Sequence, residues 1–560
     1  MNRVADPRVD PSRLRIAYDG TATPVKTVLF LVVCAAWLLP GLVGHDPWKI
    51  DEAVAFGVVA EMMASGNWAV PHLAGEPYAE RAPLFFWVAT VFAKLFGGVL
   101  PAHDAARLAS GLFTAIAMAG VSAAAVALHG PRAGRISVLL LIGCLGLLIR
   151  AHEMSTDLAG FAGLSVGLAG LAWALARPRR GGLLAGLGLA LAFLGDGLAP
   201  ALLLLALAAT LPWVDPRWRT REAALAAGIA LAVAAVLSAG WPWLMWHRAP
   251  ETFALWLEAS TATRWSGGLS RGAFADFAYF PKMLAWYAWP ALPLAAWTLW
   301  RARRHLALRE DLRLPLAATA VFLALLVLVA EAREVNAMPL LLPLVLLGVA
   351  ELDSLPRGAA SALDWFGVTT FALFAIALWV GWAAAMTGSP EAVAQWIARE
   401  IPGYRYPFRF VPVALAALLT CIWVVVVARS LRTTRRAVVN WSAGITMVWM
   451  LAMTLGLPLI DQARSYRGVA GELRAALGEP ACTLGAGVGD AQRALLDYFI
   501  GLRLVRADSP QAARCDTLLA QESSGRASPV DAAAWRETWR GSRPGDRSEA
   551  FVLYRRVRSR

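Results

Sequence analysis

Two adjacent carboxylates, Asp51 and Glu52, open the stretch "DEAVAFGVVAEMMASG" just after the chain leaves its first long apolar run. Further on, Glu80 and Arg81 stand together in "NWAVPHLAGEPYAERAP", and Asp157 follows "HEMST" at the head of another apolar run. A positioned carboxylate can take a proton from a hydroxyl as general base. Glu80 and Asp157 are also the candidates for a divalent metal, since oxygen ligands suit magnesium or manganese. Arginines beside such acids can stabilise a developing anion. Structural readings compete with these. An acid in the first turn of a helix is favoured by the helix dipole, Thr156 and Asp157 suit an N-cap, and Glu80 with Arg81 can be a solvated ion pair.

The elements that must hold these residues are mostly apolar. Of the 560 residues, 58% are hydrophobic and 16% charged, against roughly a quarter charged in soluble domains. The mean hydropathy is +0.55, and a polytopic membrane protein follows. About thirteen runs meet the length and apolarity of a spanning helix. They lie near 26–44, 104–129, 135–151, 157–176, 182–195, 198–213, 222–245, 279–299, 314–331, 338–352, 363–386, 410–428 and 440–459.

The loops between them alternate in character. "GPRAGR", "RPRRGG", "DPRWRTRE", "RARRHLALREDLR" and "ARSLRTTRR" are basic and belong on the cytoplasmic side. The net charge of +13 thus reports topology, and nucleic acid is not an expected partner. The other loops, including 45–103, 247–278 and "EAREVN", mix acidic, aromatic and polar residues and fall outside. The N-terminus, with Arg3, Arg8, Arg13 and Arg15, is expected in the cytoplasm ahead of an uncleaved first span.

Within 45–103, "DEAVAFGVVAEMMASG" and "APLFFWVATVFAKLFGG" read as helices lying along the membrane surface. Residues 460–560 change character: strands alternate with an amphipathic helix in "ACTLGAGVGDAQRALLDYFIGLRLVRA". The organisation is therefore a transmembrane domain over 1–459, including the 45–103 loop, and a soluble α/β domain over 460–560. Cys482 and Cys515 are the disulfide candidate, as expected of paired cysteines in an extracytoplasmic domain. Cys34, Cys144 and Cys421 lie in apolar runs and read as inert core thiols.

The stretch from Asp46 to Trp87 resembles the first loop of the bacterial aminoarabinose and protein O-mannosyl transferases. These are polytopic type C glycosyltransferases that take a sugar from a polyprenyl phosphate. In them a "DE" opens a surface helix ahead of a "SGDWLVPHLNGEPYFEKPPLFYW"-like segment. The matches here are Asp51, Glu52, Ser65, Gly66, Trp68, Pro71, His72, Gly75, Glu76, Pro77, Tyr78, Glu80, Pro83, Leu84 and Trp87. "HEMSTD" resembles the second acidic site, which maps to Asp157. The chain departs from the pattern in three places. Arg81 replaces a lysine, "GDG" with Asp196 replaces a "KG", and "EASTATRW" keeps Glu258 and Arg264 without a histidine.

The resemblance implies the type C fold and inverting transfer of a sugar from a polyprenyl phosphate, with lipid A the favoured acceptor. Asp51, Glu80 and Asp157 are then the catalytic candidates; Arg81 is the first donor-phosphate candidate, followed by Arg264 and Arg333 from their places in short extracytoplasmic loops, with an interfacial anchor the competing reading of Arg333. Glu52, Trp68, His72, Tyr78 and Glu258 are the expected sugar or acceptor contacts. The implied place is the bacterial inner membrane, with the C-terminal domain in the periplasm. A transporter or lipid flippase is the rival reading and would put ionisable residues in the middle of several spans. A transferase acting on a protein or another glycan, or a non-catalytic envelope scaffold, are the further alternatives.

Overall fold

The computed structural model describes residues 24–48, 50–260, 278–430, 434–478, 482–523, 530–531, 533–546 and 548–557. The protein is predominantly helical, and each of the thirteen apolar runs is built mainly of helix. By length and composition, seven helices among the described residues can cross a membrane unaided. An eighth forms if Pro131–Gly143 and Leu145–His152, bent by 77° at their break, count as one span. Four further apolar helices are shorter, so the thirteen expected spans are segments of unequal reach. The outermost helices, such as Phe410–Arg429, turn Leu418, Ile422 and Val425 outward, as a surface facing lipid requires.

The first part of the chain holds the acids in place. Helix α1 (Pro24–Leu38) leads through a turn into α2 (Asp51–Ser65), and a short hairpin of β1 (His72–Leu73) and β2 (Glu76–Pro77) leads to α3 (Leu84–Phe96). The amphipathic α3 is buried on one side through Phe85, Phe86, Ala89 and Ala93, while Leu95 and Phe96 stay exposed. That is the surface geometry expected of it. Helix α2 differs, because Ala53, Ala55, Phe56, Val58, Val59 and Met62 are all buried. The C-terminal domain covers the side that sequence reading assigned to water.

Next come α4 (Ala102–His129), α5 (Pro131–Gly143), α6 (Leu145–Leu148), α7 (Asp157–Ala174) and α8 (Pro178–Asp196), followed by α9 (Leu198–Val214). The antiparallel pair α7 and α8 meets along a seam of glycines. A Cβ on Gly188 would stand 2.2 Å from the Gly167 nitrogen, and one on Gly163 2.2 Å from the Ala192 nitrogen. Small residues let membrane helices approach backbone to backbone. The seam has a chemical consequence, since it brings the first residue of α7, Asp157, beside the last residue of α8, Asp196.

The C-terminal domain is a five-stranded sheet with helices. Strands β3 (Thr483–Ala486), β4 (Leu504–Arg506), β5 (Thr517–Ser523), β6 (Trp535–Gly541) and β7 (Glu549–Arg556) lie in the order β4-β3-β5-β7-β6. Strands β3, β4 and β5 are parallel, while β7 runs antiparallel to β5 and to β6. Cys482 and Cys515, flanking β3 and β5, are joined by a disulfide. Of the remaining cysteines Cys144 is buried, but Cys421 is exposed on its helix and is not a core thiol.

Candidate active site

Asp51 is the first residue of α2, yet it does not cap that helix. Ile50 is the N-cap, and no side chain accepts a bond there. Instead Asp51 Oδ2 accepts from Arg150 Nη1 at 2.7 Å, and Arg333 Nη2 stands 3.9 Å from Oδ1. Arg150 also lies 3.6 Å from Glu153. Burial and the nearby Glu52 push Glu153 up to about 7, against the pull of Arg150. Arg150 and Glu153 were not among the sequence candidates, although Glu153 belongs to the "HEMSTD" motif and Arg150 stands two residues before it.

Glu52 faces the other way. Its Oε1 accepts from Arg107 Nε at 2.6 Å and its Oε2 from the Trp48 backbone N–H at 2.9 Å. Both side chains of the pair are out of contact with solvent. Burial raises the Glu52 carboxyl, but Arg107 outweighs it and holds the group below the usual carboxylate range. The expected sugar contact at Glu52 is therefore corrected: the residue pins the 42–48 turn to α2 and α4.

Arg81, between the hairpin and α3, points at the glycine seam. Its Nη1 donates to Asp196 Oδ1 at 2.6 Å and to Asp157 Oδ1 at 3.1 Å. Asp157 Oδ2 accepts from Ser155 Oγ at 2.8 Å. Thr156, the N-cap of α7, makes no capping bond through its side chain.

Two cavities share this wall. One, open to solvent, is lined by Phe161, Leu164, Leu203, Leu326 and Met338 together with Asp196, Glu331 and Asn336. The other, of about 1250 Å³, holds Asp51, Tyr78, Glu80 and Ser155 on its membrane side and Asp490, Gln492 and Gln521 on the side of the C-terminal domain. Arg81, Asp157 and Arg333 line both cavities. A mostly apolar chamber and a polar one thus meet at two guanidinium groups.

The remaining candidates divide. Tyr78 and Glu80 line the polar cavity, with the tyrosine hydroxyl donating to Glu80 Oε2 at 3.4 Å. Trp68 and His72 do not line it. Trp68 stacks under Lys94 Nζ, and its carbonyl accepts from Trp87 Nε1 at 2.8 Å. His72 Nδ1 bonds the Val70 carbonyl at 2.9 Å. Both stiffen the loop around the hairpin. Glu258 ends the helix Pro250–Glu258 and lines neither cavity, and Arg264 lies outside the described residues.

The residues present do not fit a divalent ion. Among the described residues no three His, Cys, Asp or Glu side chains converge. Asp157 already shares the Arg81 charge with Asp196, where a metal ligand would need its oxygens free.

Comparison with known proteins agrees with this geometry. Residues 80–246 match the family described as dolichyl-phosphate-mannose-protein mannosyltransferase. The crystal structure of ArnT from Cupriavidus metallidurans bound to undecaprenyl phosphate superposes with a TM-score of 0.69 at 18% identity, covering 95% of this chain and 98% of that one. The two chains share one fold. An undecaprenyl phosphate-alpha-4-amino-4-deoxy-L-arabinose arabinosyl transferase 2 of Pseudomonas fluorescens strain Pf0-1 is 28% identical over 292 residues, 51% of this chain and 52% of its own. A second such transferase, from Pseudomonas aeruginosa strain UCBPP-PA14, is 28% identical over 432 residues, 71% of this chain and 74% of its own. The chain thus spans about half the length of the first relative and about three quarters of the second. The resemblance read from the first loop is borne out.

Proposed function

We propose that this protein is a glycosyltransferase that moves a sugar from undecaprenyl phosphate to lipid A, on the periplasmic side of the bacterial inner membrane. The observation that carries the reading is the pair of cavities meeting at Arg81, Asp157 and Arg333. A polyprenyl phosphate sugar has the same three parts in the same order: an apolar chain, an anion and a polar head. The apolar chamber takes the first isoprene units, the two arginines take the phosphate, and the sugar enters the polar cavity.

In the reaction the bond between the anomeric carbon and the phosphate oxygen breaks, and its electron pair leaves with the lipid phosphate. Arg81 and Arg333 stabilise that charge in a poorly hydrated site. The acceptor oxygen attacks from the opposite face, giving inversion. A phosphate on lipid A is already an anion and needs no base. This suits Asp51, whose ion pair with Arg150 fixes its direction. Asp51 then orients the sugar, and Glu80 binds its hydroxyls. The two related transferases and the crystallised ArnT complex with undecaprenyl phosphate support the donor.

The test is mass spectrometry of lipids from cells carrying the wild type, Asp51→Asn or no copy. The expected result is loss of one glycosylated lipid in the last two, with the undecaprenyl phosphate sugar accumulating. A lipid profile unchanged by deletion refutes the transferase reading.

A further inference from the structure

The polar cavity is a composite of two domains. Its roof comes from the C-terminal domain, through Gly489, Asp490, Gln492 and Gln521, opposite Tyr78 and Glu80. The roof is built to hold its shape. The Gly489 backbone N–H donates to Gln521 Oε1 at 2.9 Å, while Gln521 Nε2 and Gln492 Nε2 both donate to Glu549 Oε1, at 2.7 and 2.6 Å. Tyr466 donates to the other oxygen of this buried carboxylate at 2.5 Å. A satisfied buried network of this kind specifies one arrangement.

Asp490 keeps a half-exposed carboxylate, with one oxygen 3.3 Å from Arg493 Nη1. It lines the polar cavity and also an adjoining pocket of about 550 Å³ formed with Gly485, Gly487, Val505 and Arg506. That pocket lies at the carboxyl ends of the parallel strands β3 and β4. The chain passes from β3 to β4 on one side and later to β5 on the other, so the crevice where open α/β sheets take ligands falls between β3 and β5, where Gly489 and Gln521 form part of the roof of the polar cavity. The roof is also clamped over the membrane part. Glu76 of the hairpin pairs with Arg493 at 2.9 Å and Arg506 at 2.6 Å, and Glu61 of α2 pairs with Arg503 at 2.7 Å.

We propose that this roof is the acceptor subsite, with Asp490 accepting hydrogen bonds from hydroxyls of a sugar head group on the acceptor. The inference rests on the transferase reading above and adds a division of labour to it. The membrane part holds the donor through Arg81 and Arg333. The C-terminal domain holds the acceptor, whose reacting group points down toward Asp51 and whose remaining sugar extends into the pocket beside β4. A carboxylate suits hydroxyl donors because a charged acceptor makes the stronger hydrogen bond.

The experiment uses full-length protein in native membranes with added lipid A, comparing wild type, Asp490→Ala and Asp490→Asn. Product is read by mass spectrometry, and binding of undecaprenyl phosphate is measured on the purified proteins. Losing hydrogen bonds to a charged group predicts a rise of about ten- to a hundredfold in the KM for lipid A in Asp490→Ala. Asp490→Asn, which keeps one accepting oxygen, recovers part of it. Undecaprenyl phosphate binding stays within about twofold, which also shows that the variants fold. Asp490→Ala with a wild-type KM overturns the inference, as does equal loss of undecaprenyl phosphate binding. A wild type that makes no product sinks the transferase reading itself, and the inference with it.

Discussion

Arg81 and Asp196, 115 residues apart in the sequence, meet with Nη1 2.6 Å from Oδ1, and the same nitrogen also serves Asp157. The arginine proposed to receive the donor's phosphate is therefore already paired with two acids. On that proposal the phosphate must displace or outbid one of them. Asp196→Asn removes one competitor and should tighten undecaprenyl phosphate binding about tenfold, since a hydrogen bond to a charged group is worth ~1.5–3 kcal/mol. Titration of the purified protein measures this. Unchanged affinity would mean that Asp196 does not oppose the phosphate.

Glu52 and Arg107 predict a different phenotype. Removing one partner of a buried pair strands the other charge, at a cost of about 3–5 kcal/mol. Glu52→Ala should lower the unfolding temperature of the solubilised protein markedly. Protein that remains folded should still bind undecaprenyl phosphate normally. A stable Glu52→Ala that is catalytically dead would return Glu52 to the list of substrate contacts.

Arg150 holds Asp51 by a single short contact. Asp51→Asn should insert normally and abolish transfer. Arg150→Ala should lower kcat by about tenfold or more, a cost of roughly 1.4 kcal/mol in barrier, while sparing the KM for donor. Steady-state kinetics separates the two, and a pure KM effect in Arg150→Ala would contradict the orienting role.

Glu153 makes stability depend on pH. Its folded value of about 7 lies above the ordinary 4.5, raised by burial and by the nearby Glu52 and Asp51 against Arg150 and Arg464. Between pH 4.5 and 7 the folded protein keeps a proton that the unfolded chain has lost, so stability falls as pH rises through that window. Glu153→Gln should flatten this slope in thermal unfolding scans. An equal slope in wild type and variant would assign the titration elsewhere.

The Cys482–Cys515 bridge closes a loop of 33 residues in the C-terminal sheet. Replacing both cysteines with serine should cost about 2–4 kcal/mol. Limited proteolysis should then cut within 460–560 before it touches the membrane helices.

How much of this could be read beforehand depended on the range of the signal. The apolar runs, the basic loops and the amphipathic α3 are local patterns, and all were legible. So were Asp51, Glu80, Arg81 and Asp157, because their motif is contiguous or opens a span. The partners of these residues were not legible. Nothing local tells that the glycine seam sets Asp196 against Arg81, or that Arg107 buries Glu52 while its neighbour Asp51 turns to Arg150. The two acids sit side by side, yet adjacent residues on a helix point about 100° apart, and only tertiary packing decides which one meets solvent. The roof was invisible for the same reason: Asp490 and Gln521 belong to a domain whose docking partner begins more than 400 residues earlier.

The contact at Gly57 gives that docking a mechanical meaning. A Cβ there would stand 2.5 Å from Ala494 Cβ, so α2 and the helix Asp490–Ile500 touch almost backbone to backbone. Asp51 lies six residues before Gly57, and Asp490 four before Ala494, on two helices that cannot slide past each other without a clash. The close approach at Gly57 thus ties the position of the helix that begins with Asp51 to that of the C-terminal domain, with no membrane helix between them.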